Sequence, residues 1–359
     1  MKPDLIDEEV ETFYEDDSSG VPPSDIVSYN ELRSCADLFR MHKQGILNIQ
    51  PDFQRDFVWK PAEQTRFIDS LIKELPIPSM CFALDYKAQK WIVIDGLQRM
   101  STIIRFLEGG DWRLSKLEDI DPAIAGKSVA AIKTEGSSLH NYYTRVENLS
   151  IPITVLRCEF KKRTHLDYLF TIFHRLNTGG VKLNNQEIRN CIYGGPFNSM
   201  IKDMDKYPRW RKLNRMAPDN TYRFIKQEVI LRFFAFGERH QEYNGHLAKF
   251  LNDYLHDNRN PNDAWIEDKK VLFQQTVDYI SNNIVGSLPS KFPNTILEAL
   301  LVGVATSISE GRPPSPSEAK DRFQALKNDP LFSEEARKEG LSKKPKVIER
   351  MLRAIAIFN

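Results

Sequence analysis

The chain has 359 residues, 41% hydrophobic and 28% charged, which fits a globular protein of two or three domains with a sizeable core and excludes a fibrous or wholly disordered chain. No apolar run approaches a membrane span, and the start Met1-Lys2-Pro3-Asp4 lacks the apolar stretch of a signal peptide. The net charge of +1 hides an asymmetry: residues 1–17 hold eight acids against Lys2, which leaves +8 on the remainder, a balance suited to meeting phosphates.

Cys35, Cys81, Cys158 and Cys191 have no CxxC or CxxH spacing, so they are expected to be free thiols of a reducing, cytoplasmic protein rather than zinc ligands. Residues 1–24 lack apolar periodicity and are expected to form a disordered acidic tail. From there the pattern is mixed. Leu32, Cys35, Leu38 and Phe39 predict a helix starting after Ser28 or Asn30 and ending at Gly45. Ile46–Ile49 predicts a short strand. Pro61 opens a helix carrying Phe67, Ile68, Leu71, Ile72 and Leu75, stopped by Pro76 and Pro78. Met80–Leu84 and Trp91–Ile94 predict a strand pair around a turn at 86–89, and a further helix follows Asp95-Gly96 until Gly109-Gly110. Ile151–Phe160 predicts another strand, interrupted by Pro152. Beyond residue 163 the chain reads as almost wholly helical: a stripe at Leu166, Leu169, Phe170 and Phe173, then a capping box at Asn184-x-x-Glu187. Further helices are expected at 223–236, 245–256, 269–283, 293–308, 315–327 and 346–357. This gives an α+β fold, with domains at 25–180 and 181–359.

The segment richest in chemistry is Asp95-Gly96-Leu97-Gln98-Arg99-Met100-Ser101-Thr102, where a buried strand hands over at once to a helix. Unpaired N–H groups at a helix start hold anions, Arg99 can grip phosphate oxygens, and Asp95 can hold a Mg²⁺ that bridges them. The alternative is that Asp95 caps the helix while Arg99 pairs with a surface acid. No Walker A sequence is present. A second cluster runs from Ile49 to Trp59: Arg55 is a further candidate phosphate ligand, and Phe53, Phe57 and Trp59 either stack on a base or seal a core edge. A third, Phe173–Gly180, ends a helix in Asn177-Thr178-Gly179-Gly180, which either caps that helix or lets backbone approach a ligand.

These motifs together resemble the N-terminal family of GmrSD-type restriction enzymes, which is known by an Asp-Gly-Gln-Gln-Arg motif. The likeness rests on Phe53-Gln54-Arg55 with Trp59, on Ile94-Asp95-Gly96-x-Gln98-Arg99, on Phe173-x-x-Leu176-Asn177-Thr178-Gly179-Gly180 and on Leu183-x-x-Gln186-Glu187-Ile188-Arg189, in that order over residues 30–195. The closing stretch from Phe332 through the helix at 344–353 is similar to the tail of stand-alone members. The resemblance implies a ParB/sulfiredoxin-like N-terminal fold with a helical extension. It also implies nucleoside triphosphate binding and hydrolysis with Mg²⁺, and defence against foreign or modified DNA. Carried over, the catalytic group is Asp95, Gln98 and Arg99. Nucleotide-binding neighbours are Gln54, Arg55, Gly96, Ser101, Thr102, Asn177 and Thr178. Leu97 stands where the motif has its first Gln, a departure expected to weaken hydrolysis more than binding.

His240, His246 and His256 fall in a helical region without a ββα pattern, so no HNH nuclease is expected and a separate nuclease subunit becomes a candidate partner. The run 202–215 interleaves Arg209, Arg211, Lys212 and Arg215 with Tyr207 and Trp210, and Lys161-Lys162-Arg163 is a second basic cluster; each is a candidate DNA contact or simply a solvated face. No GxSxG occurs, and the pairs Glu8-Glu9 and Glu334-Glu335 look like exposed charge rather than facing carboxylates. The rival to the hydrolase is a module that binds nucleotide or DNA without turnover; less favoured is a domain that itself cuts DNA.

Overall fold

The computed structural model describes residues 23–49, 59–176, 183–216, 224–284, 293–337 and 340–359. They form two compact units, Gly20–Leu183 and Asn184–Asn359. The first is built on a five-stranded mixed sheet and the second is helical, so the α+β expectation holds.

In the sheet unit the elements are β1 (Val27–Ser34), α1 (Cys35–Lys43), β2 (Leu47–Asn48), α2 (Pro61–Ile72), β3 (Met80–Asp85), β4 (Lys90–Asp95), α3 (Leu97–Glu108), α4 (Val129–Lys133), α5 (His140–Asn148), β5 (Ser150–Cys158) and α6 (Arg163–Leu176). The strand order is β1-β5-β3-β4-β2. β5 pairs antiparallel with β1 and parallel with β3; β4 pairs antiparallel with β3 and parallel with β2. One sheet face, carrying Phe82, Val93, Ile151, Ile153 and Val155, is sealed by Leu38, Ile68, Leu71, Ile103 and Phe106 from α1, α2 and α3. On the other face α6 packs against β4.

The first predicted helix is corrected. Val27–Ser34 is a strand, and the helix starts only at Cys35, where the Ser34 hydroxyl accepts from the Asp37 N–H at 3.1 Å. Leu32, counted into the helical stripe, is 70% exposed on the edge strand, so it could not mark a buried face. The helix from Pro61 ends at Ile72, before the prolines, with Glu74 in the left-handed region at φ 53°. Pro152 sits inside a central strand because pairing with β3 begins only at Ile153, so its missing N–H costs no bond to β3.

The helical unit comprises α7 (Asn185–Ile192), α8 (Pro196–Asp205), α9 (Pro208–Leu213), α10 (Ile225–Arg239), α11 (Leu247–Asp257), α12 (Asp263–Asn283), α13 (Asn294–Ser309), α14 (Pro316–Asn328) and α15 (Lys344–Phe358). The Asn184–Glu187 capping box forms as expected. α13 is buried along almost its whole length, and a Cβ at Gly303 would lie 2.7 Å from the Ala354 carbonyl oxygen, so only glycine lets α15 approach this closely.

This unit encloses a chain of charges. Arg189 Nη1 lies 2.7 Å from Glu228 Oε2, Arg232 Nη2 lies 2.6 Å from Glu228 Oε1, and Arg232 Nη1 reaches Glu298 Oε2 at 3.2 Å. Arg189 Nε also donates to Asn252 Oδ1 at 2.8 Å, and Arg350 donates to the Leu341 carbonyl at 3.0 Å. Burial works against ionisation of Glu228, but Arg232 and Arg189 outweigh it and hold the carboxyl below its usual range. Removing one partner strands a buried charge, so Arg189→Ala should lose about 3–5 kcal/mol in denaturant unfolding. Because the folded-state value of Glu228 is depressed, its contribution is complete above the ordinary value of 4.5 and is lost as pH falls through the folded value. The stability gap between native protein and Glu228→Gln should therefore narrow on acidification.

Candidate functional site

β4 is a buried run, Trp91 to Ile94, that surfaces at Asp95. Gly96 then turns the chain at φ 95°, and α3 begins at Leu97. The left-handed conformation favours glycine, and a Cβ here would sit 2.6 Å from Met80 Cγ, so the turn is fixed by conformation and by packing. Gly96 is the N-cap and offers no side-chain bond. The first helical bond of this turn is Met100 N–H to the Gly96 carbonyl at 2.8 Å, so the N–H groups of Leu97, Gln98 and Arg99 precede it and are the unpaired donors of a helix start. Asp95 does not cap.

Asp95 instead pairs with Arg99, one helical turn on: Arg99 Nη2 donates to Asp95 Oδ2 at 2.8 Å. The same guanidinium donates from Nη1 to the Pro78 carbonyl, and from Nη2 to the Ser79 carbonyl at 3.4 Å. The partner foreseen as a surface acid is thus the motif's own aspartate plus two carbonyls of the segment entering β3. Burial lowers the Arg99 value and Asp95 opposes that, so the guanidinium remains charged at neutral pH. The Asp95 side chain is 38% exposed against 14% for Arg99, which leaves the carboxylate as the reachable member of the pair. Among the described residues Asp95 Oδ1 has no hydrogen-bond partner. Gln98 Oε1 accepts from the Trp59 N–H at 3.4 Å, and its amide nitrogen is unengaged among those residues.

Other expected site residues are placed differently. Ser101 and Thr102 are buried, and the Thr102 hydroxyl donates to the Gln98 carbonyl at 2.7 Å, so both lie on the packed flank of α3. Gln54, Arg55, Asn177 and Thr178 lie outside the described residues, as do Phe53 and Phe57. Trp59 packs edge-on against Phe67 at 5.4 Å and is a core-edge residue. The sheet unit carries an open trough of about 1030 Å³, lined among others by Glu74, His140, Asn141, Thr144, Arg145 and Ser150, but none of Asp95, Gln98 and Arg99 lines it.

Sequence reasoning missed the neighbours of this junction. Across the sheet Asn30 pairs with Thr154 and Thr154 with Cys81, so these three side chains share one face, and Cys81 pairs with Asp95 at a register shift that ends the regular β3–β4 ladder. Ser79 Oγ lies 3.1 Å from Thr154 Oγ1, which in turn donates to Asn30 Oδ1 at 2.9 Å. Only strand register reveals this row. Cys81 is buried, and desolvation with the Asp95 charge pushes its thiol up to about 12.

In the helical unit the proposed stacking surface is corrected. Trp210 is fully buried against Phe273 at 5.4 Å. The Tyr207 hydroxyl donates to Asp278 Oδ1 at 2.5 Å, and Arg209 pairs with the same carboxylate at 3.2 Å. Lys162 of the other basic cluster pairs with Asp25. His240 Nδ1 lies 2.9 Å from the Phe236 carbonyl and His256 lies beside Asp257. Among the described residues no three His, Cys, Asp or Glu side chains gather as a metal site, and no helix is long and apolar enough to cross a membrane.

Residues 35–194 match the family described as GmrSD restriction endonuclease, N-terminal domain. No curated protein and no solved structure matches the chain.

Two outcomes follow from this geometry. Gly96→Ala should cost at least about 1 kcal/mol, measured by thermal unfolding, since a side chain must adopt the left-handed turn and displace Met80. All four cysteines are free and buried, and burial raises Cys35, Cys81 and Cys158 to about 12. A thiol reagent at pH 8 should therefore modify the native protein far more slowly than the unfolded chain.

Proposed function

Because residues 35–194 belong to the family of GmrSD restriction endonuclease N-terminal domains, we propose that this chain is a component of a restriction-type defence system that binds a nucleoside triphosphate at the start of α3 and hydrolyses it. The observation that carries the reading is a half-buried carboxylate, Asp95, which Arg99 holds through Oδ2 only, beside a helix start that no side chain caps.

The donor set suits a polyphosphate with its counterion. The N–H groups of Leu97, Gln98 and Arg99 receive phosphate oxygens, and the guanidinium supplies the positive field around them. Asp95 Oδ1 would hold a Mg²⁺ arriving with the nucleotide, and that ion would supply neutralisation of charge on the phosphates. Among the described residues no group of three His, Cys, Asp or Glu side chains forms a metal site, which fits an ion carried mainly by its nucleotide and water. Gln98 presents an amide that can orient the attacking water, and the water's proton passes to solvent or phosphate. The chemistry is positioning and charge stabilisation, with no covalent enzyme intermediate. Nucleotide state then controls DNA recognition, with a separate nuclease as partner.

Two features favour binding without turnover as the second reading. Leu97 is an apolar residue packed against the core at the motif's first Gln position. Arg99 also spends donors on Asp95, Pro78 and Ser79. Phosphate release by the purified chain with Mg²⁺ separates the two readings. Hydrolysis predicts release that falls about 100-fold or more in Asp95→Asn and Arg99→Ala. Thermal stabilisation by nucleotide with no release assigns the binding module. Unchanged turnover in both variants removes the site from this position.

A further inference from the structure

We propose that the side-chain row running from Asp95 across the sheet to Asn30 is the sugar-reading half of the site, and that it selects ribonucleotides over 2′-deoxyribonucleotides; this rests on the nucleotide reading above. The row crosses β4, β3, β5 and β1 through the paired positions Asp95, Cys81, Thr154 and Asn30, with a register shift next to Cys81 where β3 meets the end of β4. Three interstrand steps of about 4.8 Å give about 14 Å, room for a sugar beyond a phosphate chain anchored at α3. The row is joined to that anchor, because the Ser79 carbonyl receives Arg99 while the Ser79 hydroxyl lies 3.1 Å from Thr154 Oγ1.

Its chemistry changes along its length. At one end stand a carboxylate and a guanidinium, which suit phosphate and metal. Beyond Cys81, which is buried, the polar groups are two hydroxyls and an amide without formal charge. Thr154 donates its single proton to Asn30 Oδ1, while the Ser79 hydroxyl, 3.1 Å from Thr154 Oγ1, donates to the Met80 carbonyl at 3.1 Å. These bonds leave a lone pair on Ser79 Oγ as acceptor and the Asn30 amide N–H groups as donors. A vicinal diol both donates and accepts through each hydroxyl, so it matches such a mixed, uncharged edge; a further phosphate or an ammonium group does not. Asn30 and Ser79 are exposed, so a sugar reaches them without displacing packed side chains. Beside Asn30 on the same face, Leu32 is 70% exposed and lies opposite Pro152, an apolar ledge where the flat base can rest.

The test compares the full chain with Mg²⁺ and each of the four ribonucleoside triphosphates against the matching 2′-deoxy compounds, by equilibrium binding. The native protein should hold the ribo form about tenfold tighter or more, the worth of one good hydrogen bond network to a hydroxyl. Thr154→Val keeps the shape of the side chain, and Asn30→Ala changes an exposed edge residue; each should pull the ratio towards one, the ribo form losing more affinity than the deoxy form, which keeps only its 3′ hydroxyl. Equal affinity for both sugars in the native protein overturns the sugar assignment and leaves the nucleotide reading standing. A ribo preference that survives both substitutions overturns it as well. Absence of binding by every nucleotide overturns the nucleotide reading, and the sugar assignment falls with it.

Discussion

One ion pair governs the sheet unit's chemistry. Arg99 has its guanidinium largely withdrawn from water, so it must be compensated, and the Asp95 carboxylate at 2.8 Å together with the carbonyls of Pro78 and Ser79 supplies that compensation. The geometry binds three pieces of chain: the end of β4, the first turn of α3 and the entry to β3. The two members differ in exposure, since the Asp95 side chain is more open to solvent than that of Arg99. A satisfied pair differs from a bare phosphate clamp. In the proposed reading an anion would meet the backbone donors first, with the guanidinium as a fixed field beside them.

Much of the fold was legible in the sequence, where local signals coincide with burial. Asp95-Gly96 marked the change from strand to helix because a buried run met a glycine that the left-handed turn requires. The helices of the second unit read well from their apolar stripes and caps: 294–309, 316–328 and 344–358 are each within two residues of expectation at either end. Legibility failed where neither face of an element is apolar. Val27–Ser34 is a strand only because it pairs with β5, and its exposed edge carries no alternation of buried and polar residues. His140–Asn148 buries only Tyr143 and Val146 and was missed for want of a long stripe, whereas Pro196–Asp205 carries one at Phe197, Met200, Ile201 and Met204 and was read only as part of a broadly helical region.

The candidate site divides in the same way. Asp95, Gly96, Gln98 and Arg99 come from one short segment and were readable together, whereas Asn30, Ser79 and Thr154 reach them only through pairing of distant strands. Helical periodicity turns Ser101 and Thr102 into the packed flank, which composition alone cannot reveal. Trp210 is a similar case: an aromatic among arginines resembles a stacking platform until its burial against Phe273 assigns it to the core. Arg189, quoted for the family likeness, pairs with Glu228 inside the helical unit.

The strand order has a bearing on how the molecule is made. β5 enters last in sequence yet stands between β1 and β3. While the ribosome is still extending the chain, the first strand waits for a partner more than a hundred residues away, as Val27 does for Arg157, and β3 lacks its neighbour on that side. Closure of so non-local a sheet carries a large loop entropy and is slow. The nascent N-terminal half therefore emerges with open strand edges, and a chain stalled before β5 is a substrate for chaperones or for aggregation rather than a partly working protein.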